Sequence, residues 1–127
     1  MRITLFKTFV HDQDEALRWY VDRLGFEVFE DKRMGDYRWL LVRAADNEEV
    51  AINLERASTP EQKALVGRQG GGQPLFALNT DNCLRDYQHL KGQGVHFEGE
   101  PNVMPYGTGV TLHDLYGNKI YLNEEPA

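Results

Sequence analysis

The chain repeats itself, and that repetition restricts its fold more than any other feature. Leu17-Arg18-Trp19-Tyr20 returns as Leu84-Arg85-Asp86-Tyr87 at an offset of 67. Gly25-Phe26-Glu27-Val28 has a counterpart in Gly94-Val95-His96-Phe97 at 69, and Ile52-Asn53-Leu54 matches Ile120-Tyr121-Leu122 at 68. An offset that drifts so little over half the chain indicates a duplicated unit. Chance similarity of short α/β segments is the competing account. The length, 127 residues, suits one domain built from two small modules.

Each copy carries one amphipathic helix. Asp12 is placed to cap the first, with Glu15 as its capping-box partner, before Leu17, Tyr20, Val21 and Leu24 recur on one face. Gly25 follows where a left-handed residue ends a helix. Thr80 is the expected cap of the second helix, which carries Leu84, Tyr87 and Leu90 and ends around Gly92 and Gly94. Strand patterns fill the remainder: 2–10, 26–31, 37–43, 50–55, 75–79, 95–98, 109–113 and 119–123. The order, strand, helix and three strands taken twice, predicts an α+β fold of two βαβββ modules. Residues 1–127 then form a single domain, with modules 1–57 and 73–127 joined by a linker, 58–72. Within that linker Thr59-Pro60-Glu61-Gln62 reads as the start of a short helix and Gly70-Gly71-Gly72 as a hinge.

Composition removes several partner classes. Fourteen Lys and Arg against twenty Asp and Glu give a net charge of −6, without the basic cluster that phosphate backbones require, so no nucleic acid is expected. No apolar run approaches the roughly 20 residues of a membrane helix, and the opening residues lack a signal-peptide core, so no membrane is expected either. The single cysteine, Cys83, forms no intrachain disulfide and no zinc site by itself. A cytoplasmic setting fits best.

Three segments together resemble the vicinal oxygen chelate superfamily, the glyoxalase/bleomycin resistance protein/dioxygenase proteins. They are Asp12–Tyr20 with Leu24-Gly25-Phe26, then Arg38-Trp39-Leu40, then His113-Asp114-Leu115-Tyr116-Gly117-Asn118-Lys119-Ile120. Leu115 departs from the proline usual in that last turn. The resemblance spans essentially the whole chain and implies modules whose strands curl into a half-barrel cup for a small molecule.

It also implies four places, one on the first and one on the last strand of each module, where the enzymes hold a divalent metal with His or Glu. Here those places are Leu5, Asn53, Leu75 and Tyr121. Leucine has no lone pair, and a lone amide is a weak neutral ligand. The expectation is therefore no metal and no cofactor. The histidines His11, His89, His96 and His113 form neither an i, i+4 pair on a helix nor a His-x-His run.

Strand parity proposes the lining. With Ile52 and Leu54 under the helices, Asn53 and Glu55 face the other side; Tyr121 and Asn79 follow from the same alternation in the second module. Phe9 and Trp39 add aromatic surface, with ordinary core packing as their alternative. Thr111 and His113 share a parity opposite Val110 and Leu112. Tyr106, next to Pro105, is placed to lip the cup or to seal a turn. The expected ligand-binding residues are thus Phe9, Trp39, Asn53, Glu55, Asn79, Tyr106, Thr111, His113 and Tyr121. For Glu55 the competing account is a solvated strand-end carboxylate.

The function expected is binding of a small, aromatic or amphipathic organic molecule in a metal-free cup. The alternative is a metal-independent enzyme performing acid–base chemistry on a small carbonyl compound. Glyoxalase I and extradiol dioxygenase activities are disfavoured by the missing ligands. A third account, a degenerate regulatory module, has no positive feature behind it. A homodimer is expected from the resemblance and from the edge strands such modules leave open.

Overall fold

The computed structural model describes residues 1–127, which divide into two compact units, Met1–Val66 and Gly67–Ala127. Unit 1 runs β1 (Leu5–Val10), α1 (Gln13–Asp22), β2 (Glu27–Met34), β3 (Tyr37–Arg43), β4 (Ala51–Arg56) and α2 (Pro60–Leu65). Unit 2 runs β5 (Pro74–Asn79), α3 (Cys83–Gly92), β6 (Asn102–Met104), β7 (Gly107–His113) and β8 (Lys119–Glu124). Each unit is βαβββ, the repeat read from the sequence. The sheets have orders β1-β4-β3-β2 and β5-β8-β7-β6. In each, the first strand pairs in parallel with the last and the other pairings are antiparallel.

In unit 1, Asp12 caps α1 as expected, accepting from the Glu15 amide at 2.8 Å. Ala16 and Tyr20 are buried where α1 packs on β3 and β4. Gln13 fixes the helix start by donating its amide to the Leu54 carbonyl at 2.8 Å and the Arg38 carbonyl at 3.1 Å. Gly25, at φ +70°, turns the chain out of the helix in a conformation that costs a side-chain-bearing residue about 1 kcal/mol or more. Leu40, Val42, Ile52 and Leu54 complete the core. Thr59 caps α2, with Pro60 in its first turn, and the helix packs on β1.

In unit 2, Cys83, Tyr87 and Leu90 of α3 pack toward Val110, Leu112, Ile120 and Leu122, all buried. Fully burying an aliphatic side chain contributes about 1.5–3 kcal/mol. Truncating Leu112 to Ala, which would leave a cavity, costs about 2–5 kcal/mol.

Four expectations need correction. Asn82, not Thr80, caps α3, accepting from the Arg85 amide at 3.0 Å; the Thr80 hydroxyl is committed to Asp86. Leu84 is exposed, because the buried stripe of α3 runs through Cys83, Tyr87 and Leu90 and Leu84 lies to one side of it. Residues 95–98 form no regular strand; one antiparallel bridge, Phe97 to Leu112, joins them to β7, with the His113 amide donating to the His96 carbonyl and the Glu98 amide to the Thr111 carbonyl, both at 2.9 Å. The start of β7, Gly107–Gly109, pairs with β6, so Pro105 and Tyr106 form a hairpin tip rather than a longer connection. Finally, β2 continues to Met34, as a ladder with β3 holds it.

Candidate functional site

The polar face of unit 1 is built across four strands. In register, Lys7 of β1 stands beside Asn53 of β4, which stands beside Leu41 of β3, which faces Glu30 of β2. Alternation brings Phe9, Glu55, Tyr37 and Trp39 to the same side. Glu30 reaches it through a bulge. Val28 pairs with Val42 and Glu30 with Leu41, so one residue of β2 is extra and the parity of the strand flips. The Trp39 indole then donates to the Glu30 carboxylate at 2.9 Å.

Glu55 is the hub of this face. The Tyr37 hydroxyl donates to its two oxygens at 2.7 and 3.0 Å, and the Lys7 ammonium lies 3.2 Å away. Burial, reinforced by the hydrogen bond to Glu55 and that carboxylate's charge, pushes the Tyr37 phenol up to about 12. Tyr37 is thus held as a neutral donor at any physiological pH. Asn53 is 0% exposed; its amide donates to the Leu40 carbonyl at 3.1 Å, while its Oδ1 accepts from no protein donor. A buried acceptor left so costs about 1–3 kcal/mol.

In unit 2, Ala77, Tyr121 and Thr111 lie in one row across β5, β8 and β7, with Asn79, Asn123 and Gly109 in the next. The Tyr121 phenol lies over Gly109, where a Cβ would sit 1.8 Å from its oxygen, so glycine is required for that placement. Asn123 donates to Asn79 at 3.3 Å and Asn79 to Glu125 at 3.2 Å. The His113 Nε2 lies 2.8 Å from Glu98, the His96 ring packs edge-on to His113 at 4.7 Å, and Lys119 approaches Glu98 at 3.3 Å. The hydrogen bond from His113 leads the interactions holding the Glu98 carboxyl below the usual carboxylate range, over the opposing effect of burial. A hollow of about 300 Å³ opens between loop 70–72 and turn 117–119, with Arg68 and Lys119 as its charged groups.

Of the residues expected from sequence, Phe9, Trp39, Asn53 and Glu55 belong to the unit 1 face. Asn79, Thr111, His113 and Tyr121 belong to the sheet of unit 2. Tyr106 stands at the β6–β7 hairpin tip, 66% exposed. Tyr37, Glu30 and Glu98 were not anticipated. Tyr37 was within reach, sharing parity with Trp39; Glu30 was not, since only the bulge turns it inward.

The donor set does not fit a metal centre. Leu5 and Leu75 offer no ligand atom, the Asn53 amide is a lone neutral ligand, and the Tyr121 phenol is laid against Gly109. No group of three or more His, Cys, Asp or Glu side chains is arranged to hold a metal ion elsewhere. No helix is long and apolar enough to cross a membrane.

A family model described as Glyoxalase/Bleomycin resistance protein/Dioxygenase superfamily matches residues 2–122. An uncharacterized protein of Shewanella frigidimarina (strain NCIMB 400) is 40% identical over 111 residues, 86% of this chain and 82% of that protein. The crystal structure of UcmS2 superposes with a TM-score of 0.85 at 33% identity, covering 97% of both chains. TnmS3, an antibiotic binding protein from Streptomyces sp. CB03234, superposes with a TM-score of 0.82 at 28% identity, over 99% of this chain and 97% of that one.

Proposed function

The chain belongs to the glyoxalase/bleomycin resistance protein/dioxygenase superfamily, and from that premise we propose that it binds a small aromatic or amphipathic organic molecule without a metal. The observation that carries this is the chemistry of the four strand positions, Leu5, Asn53, Leu75 and Tyr121, where apolar, amide and phenol groups stand in place of a ligand set. Trp39 and Phe9 supply stacking surface, and a few polar groups, Asn53 and Glu55 foremost, supply orientation, as small-molecule sites require. The antibiotic-binding relative TnmS3 supports the same reading. Glyoxalase I and extradiol dioxygenase activities are disfavoured because no residue set is present to hold their metal.

A thermal-shift ligand screen with and without chelator tests the proposal, alongside elemental analysis of dialysed protein. Stabilisation by an organic ligand that chelator leaves unchanged is the expected result. One divalent ion retained per chain would refute it. A second reading, metal-independent acid–base chemistry, draws on Glu55 lying within hydrogen-bond reach of Tyr37 and Lys7. Turnover of a bound carbonyl compound would establish it. We further propose a homodimer, supported by the open edge strand β6 with its exposed Val103 and by the neighbouring tip residue Tyr106. Light scattering that gives a particle of 14.6 kDa would contradict this. A cytoplasmic location fits the cysteine usage, one buried thiol with no disulfide.

A further inference from the structure

The unit 1 face has a consistent polarity: its uncharged donors are engaged inside the protein and acceptors are left over. The Trp39 indole has a single N–H and gives it to Glu30. The Tyr37 hydroxyl donates its hydrogen bond to Glu55, and the Asn53 amide donates to the Leu40 carbonyl. What remains is the Asn53 Oδ1, which accepts from no protein donor, and the lone pairs of Glu55, a carboxylate only 15% exposed. The cation beside Glu55 is Lys7, whose side chain is 44% exposed. Lys7 stands across from Asn53 in the β1–β4 register, yet its ammonium reaches Glu55, two residues further along β4. Its stem therefore runs obliquely beside the Asn53 amide. An ion pair with so exposed an ammonium is held weakly, since water solvates the released cation.

We propose that the ligand of this face carries a hydrogen-bond-donating head, an ammonium or a hydroxyl on an aromatic body, which displaces Lys7 from Glu55 and donates to the Asn53 Oδ1. This rests on the binding function proposed above and specifies its chemistry. Carboxylates and phosphates are refused. They would meet Glu55 and Glu30 and bring no donor to Asn53, on a chain of net charge −6. Ligands with no donor leave the buried acceptor as it was.

Four matched naphthalenes test this: 2-naphthylmethylamine, 2-naphthol, 2-methoxynaphthalene and 2-naphthoate, titrated by calorimetry and by nitrogen-15 NMR. The amine and the naphthol should each bind at least tenfold more tightly than the methoxy compound, and only they should shift the Asn53 side-chain amide signal. Naphthoate should bind most weakly. In Asn53→Leu the tenfold preference should collapse to within twofold while the methoxy compound is unaffected. Glu55→Gln, a change at the partly exposed rim that spares the core, should cut the amine's affinity at least fivefold and keeps the test decisive if the Asn53 variant does not fold. Equal binding of the donor and methoxy compounds, or tightest binding of naphthoate, overturns the inference while leaving the binding function standing. If none of the four perturbs unit 1 resonances, both fall.

Discussion

Replacing Arg38 with Met removes the cation that fastens α1 and β2 to β3. The guanidinium is forked onto Asp31, Nε to Oδ1 and Nη2 to Oδ2, both at 2.9 Å, and its Nη1 donates to Asp14 at 2.6 Å. Its side chain is 9% exposed, whereas two-thirds of Asp31 is covered and Asp14 stands in water. Exposed ion pairs contribute about 0.2–1 kcal/mol, and hydrogen bonds to charged groups about 1.5–3 kcal/mol. The Asp31 fork lies between these limits, so the variant should lose about 1–2 kcal/mol at pH 7, with the methionine retaining the packing of the arginine stem. For a domain of this size that is a fall in Tm of about 3–10 °C. The Arg38 hydrogen bond, against the raising effect of burial, holds the Asp31 carboxyl below its ordinary 3.8. A depressed carboxylate contributes stability that is fully present above the unfolded-chain value and lost as pH falls through the folded one. The difference between wild type and variant should therefore stay constant from pH 7 to 5 and shrink below 3.8. Urea unfolding at pH 7, 5 and 2.5 at fixed ionic strength measures it. Arg38→Lys should recover little, because an ammonium cannot fork. A difference unchanged at pH 2.5, or a fully stable lysine variant, would refute the assignment of the stability to the Asp31 fork.

Gly109→Ala should leave stability within about 1 kcal/mol, since only the movable end of Tyr121 stands in the way; it should displace that phenol, visible as a changed tyrosine ring signal by NMR. Ultraviolet titration should show one of the six tyrosines ionising near 12, and Glu55→Gln should bring it down as the neighbouring charge disappears. Asp114→Ala should cost about 2–4 kcal/mol in chemical denaturation, because the buried carboxylate accepts from the amides of Tyr116 and Asn118, both at 2.9 Å, and from the Asn118 side chain at 3.0 Å.

The duplicated βαβββ order was legible because hydrophobic periodicity and turn chemistry repeat together, and a helix stripe such as Leu17, Tyr20, Val21 and Leu24 locates a helix even though Ala16 and Tyr20 turn out to be its buried residues. Cap choice was less so. Thr80 and Asn82 both have capping side chains, and what selects Asn82 is that Asp86 engages the Thr80 hydroxyl, a contact between residues on successive turns of chain. Residues 95–98 have strand composition yet pair with β7 only around Phe97, because the regular ladder on that edge of β7 lies further along, between β6 and Gly107–Gly109. The polar face was half legible. Alternation places Asn53, Glu55 and Trp39 on one side, but Glu30 joins them only through the β2 bulge, and no residue type in Val28-Phe29-Glu30 announces one. Arg38, read from the sequence as part of a family motif, turns out to bridge two carboxylates from different elements.

In both sheets the strand made last by the ribosome is an interior one. β4 separates β1 from β3, and β8 separates β5 from β7. Leu5 waits for Ala51 and Pro74 for Lys119, so β1 and β5 emerge without partners while everything between is translated. Pairing over such separations closes slowly and leaves strand edges open in the meantime. Unit 1 has its whole sheet once Arg56 clears the exit tunnel, before any of β5 is made. The nascent chain can thus settle one module at a time. The duplication that doubles the fold also staggers its assembly, so that only one sheet need be incomplete at a time.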